Sequence, residues 1–457
     1  MSFKELSINE LINHEFDCSC GKKHIASIEN IAIGKNALDK LPGIMETQKL
    51  KDGSTLSKND KIFIVADVNT WEVAGERVES MVAGAGYPVE KYIFPHKSMH
   101  AEDKYAEEMK EHLPADTKLI IAIGSGSLND LTRYVAFGAG LPYYIVATAP
   151  SMDGYASNVS PLVHNNLKIT YSAECANAII GDTDILATAP DVMIAAGLGD
   201  VLGKYLAIND WKMSELINGE YYCPEVGELV LYSVKKCVDT VPGLVNRESD
   251  ALQYLMESLV LIGIAMSYIG FSRPASASEH HISHFLEMKS IFKGEYGQLH
   301  GTCVGMATCD MYAKFLTMPF DYDKARAHAE TFDYDTWEKE IKRSFGLGSD
   351  EVIKLYQQVH QNDPEVVEKR IDSIQNNEAK LVSLMENVVA DTQKAPELLK
   401  ALHGLTSPAE FNVTKEEFKD ILMYAKELRN RYAALQFFYD MGVLEELADD
   451  IIDKYMK

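Results

Sequence analysis

Short apolar runs rich in Ile, Val and Tyr recur at residues 62–66, 92–94, 119–123 and 143–147. Amphipathic stretches lie between them at 70–83 and 102–112, and a third begins near Asn129 and ends at Gly138 and Gly140. Alternation of buried strand patterns with helical periodicity predicts strand-helix-strand units that build a parallel sheet. In an open parallel sheet the ligand crevice lies beyond the carboxyl ends of the strands, so the residues that follow each strand are the candidates for chemistry.

Residues 159–172, broken by His164-Asn165-Asn166, read as a hairpin, and an apolar run follows at 178–180. From about Asp191 the alternation disappears and long helical patterns continue to the end. This predicts an α/β dinucleotide-binding domain over residues 1–185 and an all-helical domain over 186–457. Residues 320–457 are highly charged, and the mixed-sign run 333–343 reads as a solvated helix face. No internal repeat or low-complexity linker interrupts the chain.

Composition narrows the function classes. At 457 residues, 46% hydrophobic and 25% charged, the chain has the make-up of a packed globular protein rather than a disordered or fibrous one. A formal charge of −24 repels nucleic acid and anionic lipid, so an anionic substrate needs a local positive site. The odd count of 7 cysteines and the absence of a signal-like opening point to a reduced, cytoplasmic protein. Apolar runs such as 259–265 fall short of the roughly 20 residues a membrane span requires, and no membrane segment is expected.

Gly124-Ser125-Gly126-Ser127-Leu128-Asn129-Asp130 follows the strand that ends at Ile123. Glycines there let a backbone approach a pyrophosphate at a helix N-terminus, although a plain tight turn has the same composition. Asp67, after residues 62–66, fits a ribose-binding carboxylate and equally a helix N-cap, and the two roles are compatible. Thr148-Ala149-Pro150-Ser151-Met152-Asp153-Gly154-Tyr155-Ala156-Ser157 clusters hydroxyls and a carboxylate beyond another strand. Such a cluster can hold a cofactor and orient a substrate, or form an ordinary polar turn.

In the helical half, Asp200 lies in a helical run, His280 and His284 are spaced to share one helix face, and His300 precedes Gly301. Three of these four side chains could ligate a divalent ion and leave a coordination position open for substrate. Cys18-Ser19-Cys20, with His24 nearby, has a shorter spacing than structural zinc sites usually show and is read as two reduced thiols.

Over residues 25–315 these motifs, in this order, resemble the sn-glycerol-1-phosphate dehydrogenases, within the metal-dependent polyol dehydrogenases and dehydroquinate synthase-like proteins. The N-terminal segment is most similar to the bacterial branch. By this resemblance Asp67, Gly126, Ser127, Leu128, Asn129, Asp130, Thr148, Ala149, Pro150, Ser151 and Ser157 contact NAD or NADP. It also makes Asp200, His280 and His300 ligands of a zinc or nickel ion, with Asp153, Asp200 and His284 at the substrate. The family's loop reads Gly-Gly-Gly, two residues, Ile-Asp, and a histidine often precedes the substrate aspartate; here the loop is Gly124 to Asp130 and Met152 stands before Asp153.

The implied reaction is reversible reduction of dihydroxyacetone phosphate to sn-glycerol 1-phosphate by a homodimer, with Lys204 or Arg273 as a candidate for the phosphate. Either could instead be a structural salt-bridge partner. The rival readings are a glycerol or other polyol dehydrogenase, a dehydroquinate synthase-like lyase, and a noncatalytic nucleotide sensor. The sensor has no need of an open metal position.

Overall fold

The computed structural model of this chain describes residues 2–456 except 165, 166, 310, 312, 313, 315 and 316. The hairpin break expected at Asn165-Asn166 lies outside the described residues. The described residues form ten strands: β1 (Phe16–Asp17), β2 (Lys23–His24), β3 (Asn30–Gly34), β4 (Lys61–Asp67), β5 (Val89–Phe94), β6 (Thr117–Gly124), β7 (Tyr143–Ala147), β8 (Val159–His164), β9 (Leu167–Ser172) and β10 (Ala178–Asp182). Six of them form one sheet in the order β3-β10-β7-β6-β4-β5, with every neighbouring pair parallel. β1–β2 and β8–β9 are separate antiparallel ribbons. After Thr183 the described elements are all helical, which agrees with the expected α/β sheet followed by a helical region.

The central strands are apolar throughout because both sheet faces are covered: Ile62 to Ala66, Leu119 to Ile123 and Tyr144 to Ala147 are buried. β3 was missed in the sequence, since Asn30-Ile31-Ala32-Ile33-Gly34 is short and pairs only with β10 at the sheet edge. The stretch expected as one helix over 70–83 begins with a π-helical turn, Trp71–Gly75, before the α-helix Glu76–Gly84. Glycine is required at the end of that turn, because a Cβ on Gly75 would sit 2.3 Å from the Trp71 ring.

Chain order reverses between β6 and β4, so their carboxyl ends border a topological switch point. Ala66 pairs with Ile123, and Gly124 with Ala147, so Asp67, Gly124 and Thr148 follow one another along a single edge of the sheet.

Two compact units emerge: Met1–Val201 with Glu228–Phe271, and Leu202–Gly227 with Ser272–Lys457. The change in periodicity near residue 185 marks instead where the parallel strands end. The first unit keeps the helix Ser249–Ile269, which packs on β3 and on the turn Gly154–Ala156. That helix is long and apolar enough to cross a membrane by length and composition, and 67% of its most apolar window is buried. A Cβ on its Gly263 would fall 2.7 Å from the Ala156 Cβ, so the glycine sets this close approach.

Candidate functional site

In the first unit the glycine turn is built by packing. A Cβ on Gly124 would lie 2.6 Å from Leu128 Cδ1, so the strand enters the helix Gly126–Ala139 with Leu128 folded beneath it. Ser125 is the N-cap and makes no side-chain cap bond, so the first N–H groups of this helix are not satisfied by its own cap, as a phosphate site requires.

Asp67 caps the helical turn after β4: its Oδ1 accepts from the N–H groups of Asn69 and Thr70, both at 2.8 Å. Thr148 and Ser151 are buried, and the Thr148 N–H donates to the Gly124 carbonyl at 3.0 Å, which ties the two predicted loops together. The Ala149 carbonyl accepts from the Tyr155 hydroxyl at 2.5 Å. Ser157 folds back locally, its Oγ accepting from the Val159 N–H at 3.1 Å.

Two predicted cofactor residues serve this scaffold. Asn129 donates to the Gly154 carbonyl at 3.2 Å, and Asp130 is paired at 2.6 Å with Arg133. Arg133, which sequence reasoning missed, is fully buried and also donates to the Tyr143 hydroxyl and to the carbonyls of Gly154, Tyr155 and Val159. One rigid guanidinium therefore organises the whole loop after β7. Its i, i+3 spacing from Asp130 was visible in the sequence, but the carbonyls it gathers were not.

Asp200 is buried on the helix Asp191–Asn218, and its Oδ2 accepts from the Asp153 N–H at 2.9 Å. Gly197, one turn earlier, makes that meeting possible: a Cβ there would come within 1.8 Å of the Pro150 carbonyl oxygen. The predicted substrate aspartate and the predicted ligand aspartate are thus hydrogen-bonded neighbours.

The second unit gathers the histidines. His280 and His284 stand on the helix Ser278–Phe292 and His300 opens the helix His300–Thr308. Ring centroids are 5.1 Å apart for His280 and His300, 5.3 Å for His284 and His300, and 6.0 Å for His280 and His284. Ligating atoms of His284, Glu287 and His300 all lie within 4.8 Å of one another.

Glutamates that the sequence reading did not single out orient two of these rings. Glu279 Oε1 is 2.7 Å from His280 Nδ1, and Glu287 Oε1 is 2.7 Å from His300 Nδ1. A carboxylate on Nδ1 holds the proton there and leaves Nε2 as the lone pair, the arrangement of metal-binding imidazoles. Burial, then the Lys204 ammonium and the neighbouring imidazoles, push the His280 pKa down and keep the ring neutral, as a ligand must be. Burial and the Asp210 carboxylate raise Glu279 to about 8, against the pull of Lys204.

Lys204 is buried on the same long helix as Asp200, and a Cβ on Gly203 would lie 2.6 Å from Val304 and 3.2 Å from Glu279, so the helix backbone runs close to both. Arg273 is a structural partner: its guanidinium binds Glu220 at 2.8 and 3.0 Å and the Tyr432 carbonyl at 2.6 Å.

Similarity to known proteins extends along nearly the whole chain. Residues 32–190 fit the family described as iron-containing alcohol dehydrogenase. The chain is 30% identical to the glycerol-1-phosphate dehydrogenase [NAD(P)+] of Bacillus licheniformis, over 94% of each chain. It is 35% identical to that of Bacillus velezensis, over 65% of this chain and 74% of the other. Among solved structures, a glycerol dehydrogenase from Schizosaccharomyces pombe superposes with a TM-score of 0.58 at 16% identity, over 93% of this chain and 91% of that one. A maleylacetate reductase from Agrobacterium tumefaciens gives 0.61 at 10% identity, covering 95% and 99%. The structural matches establish the fold, and the near full-length similarity establishes more: this chain belongs to the glycerol-1-phosphate dehydrogenase family.

Proposed function

We propose that this protein interconverts dihydroxyacetone phosphate and sn-glycerol 1-phosphate with NADH or NADPH, using one divalent ion. The reading rests on similarity to glycerol-1-phosphate dehydrogenases along nearly the whole chain. NAD(P) would lie along the carboxyl edge of the sheet, at Asp67, the loop Gly126 to Asp130, Thr148 to Ser151, and Ser157. The first turn of the Gly126–Ala139 helix, whose N–H groups the Ser125 side chain does not cap, supports pyrophosphate binding there.

Asp200, His280 and His300 are the proposed ligands, and zinc or nickel the proposed metal. The donor set fits a cation: two imidazoles have Nδ1 on a glutamate, which frees Nε2, and Asp200 is a buried carboxylate. A positive charge at Nε2 of His280 would also draw Glu279 into its carboxylate form, offsetting the burial that raises its pKa. When bound, the ion and the cofactor supply, respectively, positive charge for the C2 oxygen and the hydride carrier.

The chain's own groups do the rest. Asp153, its backbone N–H already on Asp200, orients the substrate hydroxyls together with His284. One of these two side chains, or a water held by them, exchanges the proton of the C2 oxygen. Lys204, a buried cation in an acidic protein, supplies a local positive charge for the phosphorylated substrate. The same reading takes the enzyme to be a cytoplasmic homodimer.

The test is NADH and NADPH oxidation with dihydroxyacetone phosphate after chelation, with and without restored zinc or nickel. Activity should return with metal, and in reverse only sn-glycerol 1-phosphate should be oxidised. Oxidation of free glycerol at a comparable kcat/KM, or full activity without metal, overturns the proposal. His280→Ala should lose the ion held by Asp200, His280 and His300 and the activity together while remaining folded.

A further inference from the structure

A second group of ligating side chains lies in the N-terminal segment. β1 and β2 form a small antiparallel hairpin in which Phe16 pairs with His24 and Asp17 with Lys23. The Cys18 N–H donates to the Lys22 carbonyl at 3.1 Å and the Gly21 N–H donates to the Cys18 carbonyl at 3.0 Å. Gly21 has φ +82°, so glycine closes a three-residue hairpin loop in the left-handed region. This turn overcomes the short Cys-x-Cys spacing that argued against a metal in the sequence: a ligating atom from each of Cys18, Cys20 and His24 lies within 4.8 Å of the others.

His24 is oriented as a ligand. It is buried, its ring stacks on Tyr268 with centroids 5.5 Å apart, and its Nδ1 is 2.8 Å from the Tyr268 carbonyl. The carbonyl holds the Nδ1 proton, so Nε2 carries the lone pair, and this atom lies 3.3 Å from the Cys20 sulfur. Phe3 also meets the imidazole, edge-on at 5.9 Å, and Phe3, Phe16 and Tyr268 pack on one another with centroids 5.2 to 5.9 Å apart, giving a low-polarity surrounding that strengthens metal–thiolate attraction. Both cysteines are thiols and only partly buried, so an ion can reach them.

We propose that Cys18, Cys20 and His24 bind a borderline-soft divalent cation, zinc by its chemistry, in a structural site separate from the catalytic ion. Two thiols lose their protons to solvent, the sulfurs and Nε2 donate lone pairs, no electron is transferred, and a fourth donor or water completes the tetrahedron. The ion clamps the hairpin, and the His24 bond to Tyr268 passes the restraint to the end of the Ser249–Ile269 helix.

The experiment is to strip the purified protein with chelator and titrate it with cobalt(II). The wild type should develop a sulfur-to-cobalt charge-transfer band. His280→Ala should keep it, because that band reports thiolates only, and Cys18→Ser/Cys20→Ser should lose it along with one bound ion per chain. A wild type without the band, or a double variant that retains it, overturns the proposal. Should the double variant misfold, alkylation of the wild type decides: zinc must protect Cys18 and Cys20 from iodoacetamide, and equal labelling with and without zinc refutes the site.

Discussion

Glu287 holds the ring of His300 by its Nδ1, at 2.7 Å, from thirteen positions earlier in the chain. The same carboxylate faces a second imidazole without bonding it: its other oxygen lies 3.8 Å from Nδ1 of His284, beyond hydrogen-bond reach. Glu287→Gln keeps the shape and removes the charge. Metal affinity should fall about 10- to 100-fold with the fold intact, read by competition with a chromophoric chelator. An unchanged affinity would remove Glu287 from the ligand support.

Arg133 spans the loop after β7 and pairs with Asp130 on its own helix. Arg133→Met leaves buried carbonyls and a carboxylate without their donor, a loss of about 3–5 kcal/mol for breaking a buried charged network. Urea unfolding measures the stability, and the KM for NAD(P)H should rise more than kcat falls, because the loop serves binding. A purely structural role would leave KM untouched in the folded fraction.

Gly197 allows the long helix to touch the Pro150 carbonyl. Gly197→Ala forces a backbone shift with an overpacking cost of about 1–3 kcal/mol, partly offset by about 1 kcal/mol of improved helix propensity. The shift separates Asp200 from Asp153, so kcat should drop beyond what the stability loss explains. Steady-state kinetics on protein shown to be folded by circular dichroism checks this.

Asp210 is fully buried and accepts from the N–H groups of Ser278 and Ala434 at 3.3 and 3.1 Å. Burial outweighs these bonds and Arg273, and its pKa is raised to about 6 from 3.8. The folded state thus holds a proton that the unfolded chain releases, so this group's contribution is fully present below pH about 4 and is lost as pH rises through about 6. The integrated effect is about 3 kcal/mol at most. Asp210→Asn, which keeps an acceptor but cannot ionise, should flatten the stability profile between those values; denaturant titrations across the window would show an unchanged slope if Asp210 played no part.

The strand-helix alternation up to β10 could be read in the chain because parallel strands buried on both faces must be continuously apolar, and their spacing leaves room only for crossover helices. Candidate loops followed from the same rule, since ligands gather where such strands end. Asp67, Gly124 and Thr148 indeed line one edge. The His280, His284 and His300 cluster needed the helical period for one pair, and tertiary structure for the third member.

Other features were decided only in three dimensions. Glu279, Glu287 and Arg133 carry no local signature, because a carboxylate that orients an imidazole and a guanidinium that collects carbonyls look like surface charges until their partners are known. Arg273 could have met a phosphate by sequence, but packing gave it to Glu220. The Cys18-Ser19-Cys20 spacing argued for two reduced thiols rather than a metal site; the Gly21 turn and the buried His24 set their surroundings only in the fold. Periodicity along the chain records which faces must leave water, and so it determines the elements; which polar groups then meet depends on contacts between distant residues, which only the folded chain creates.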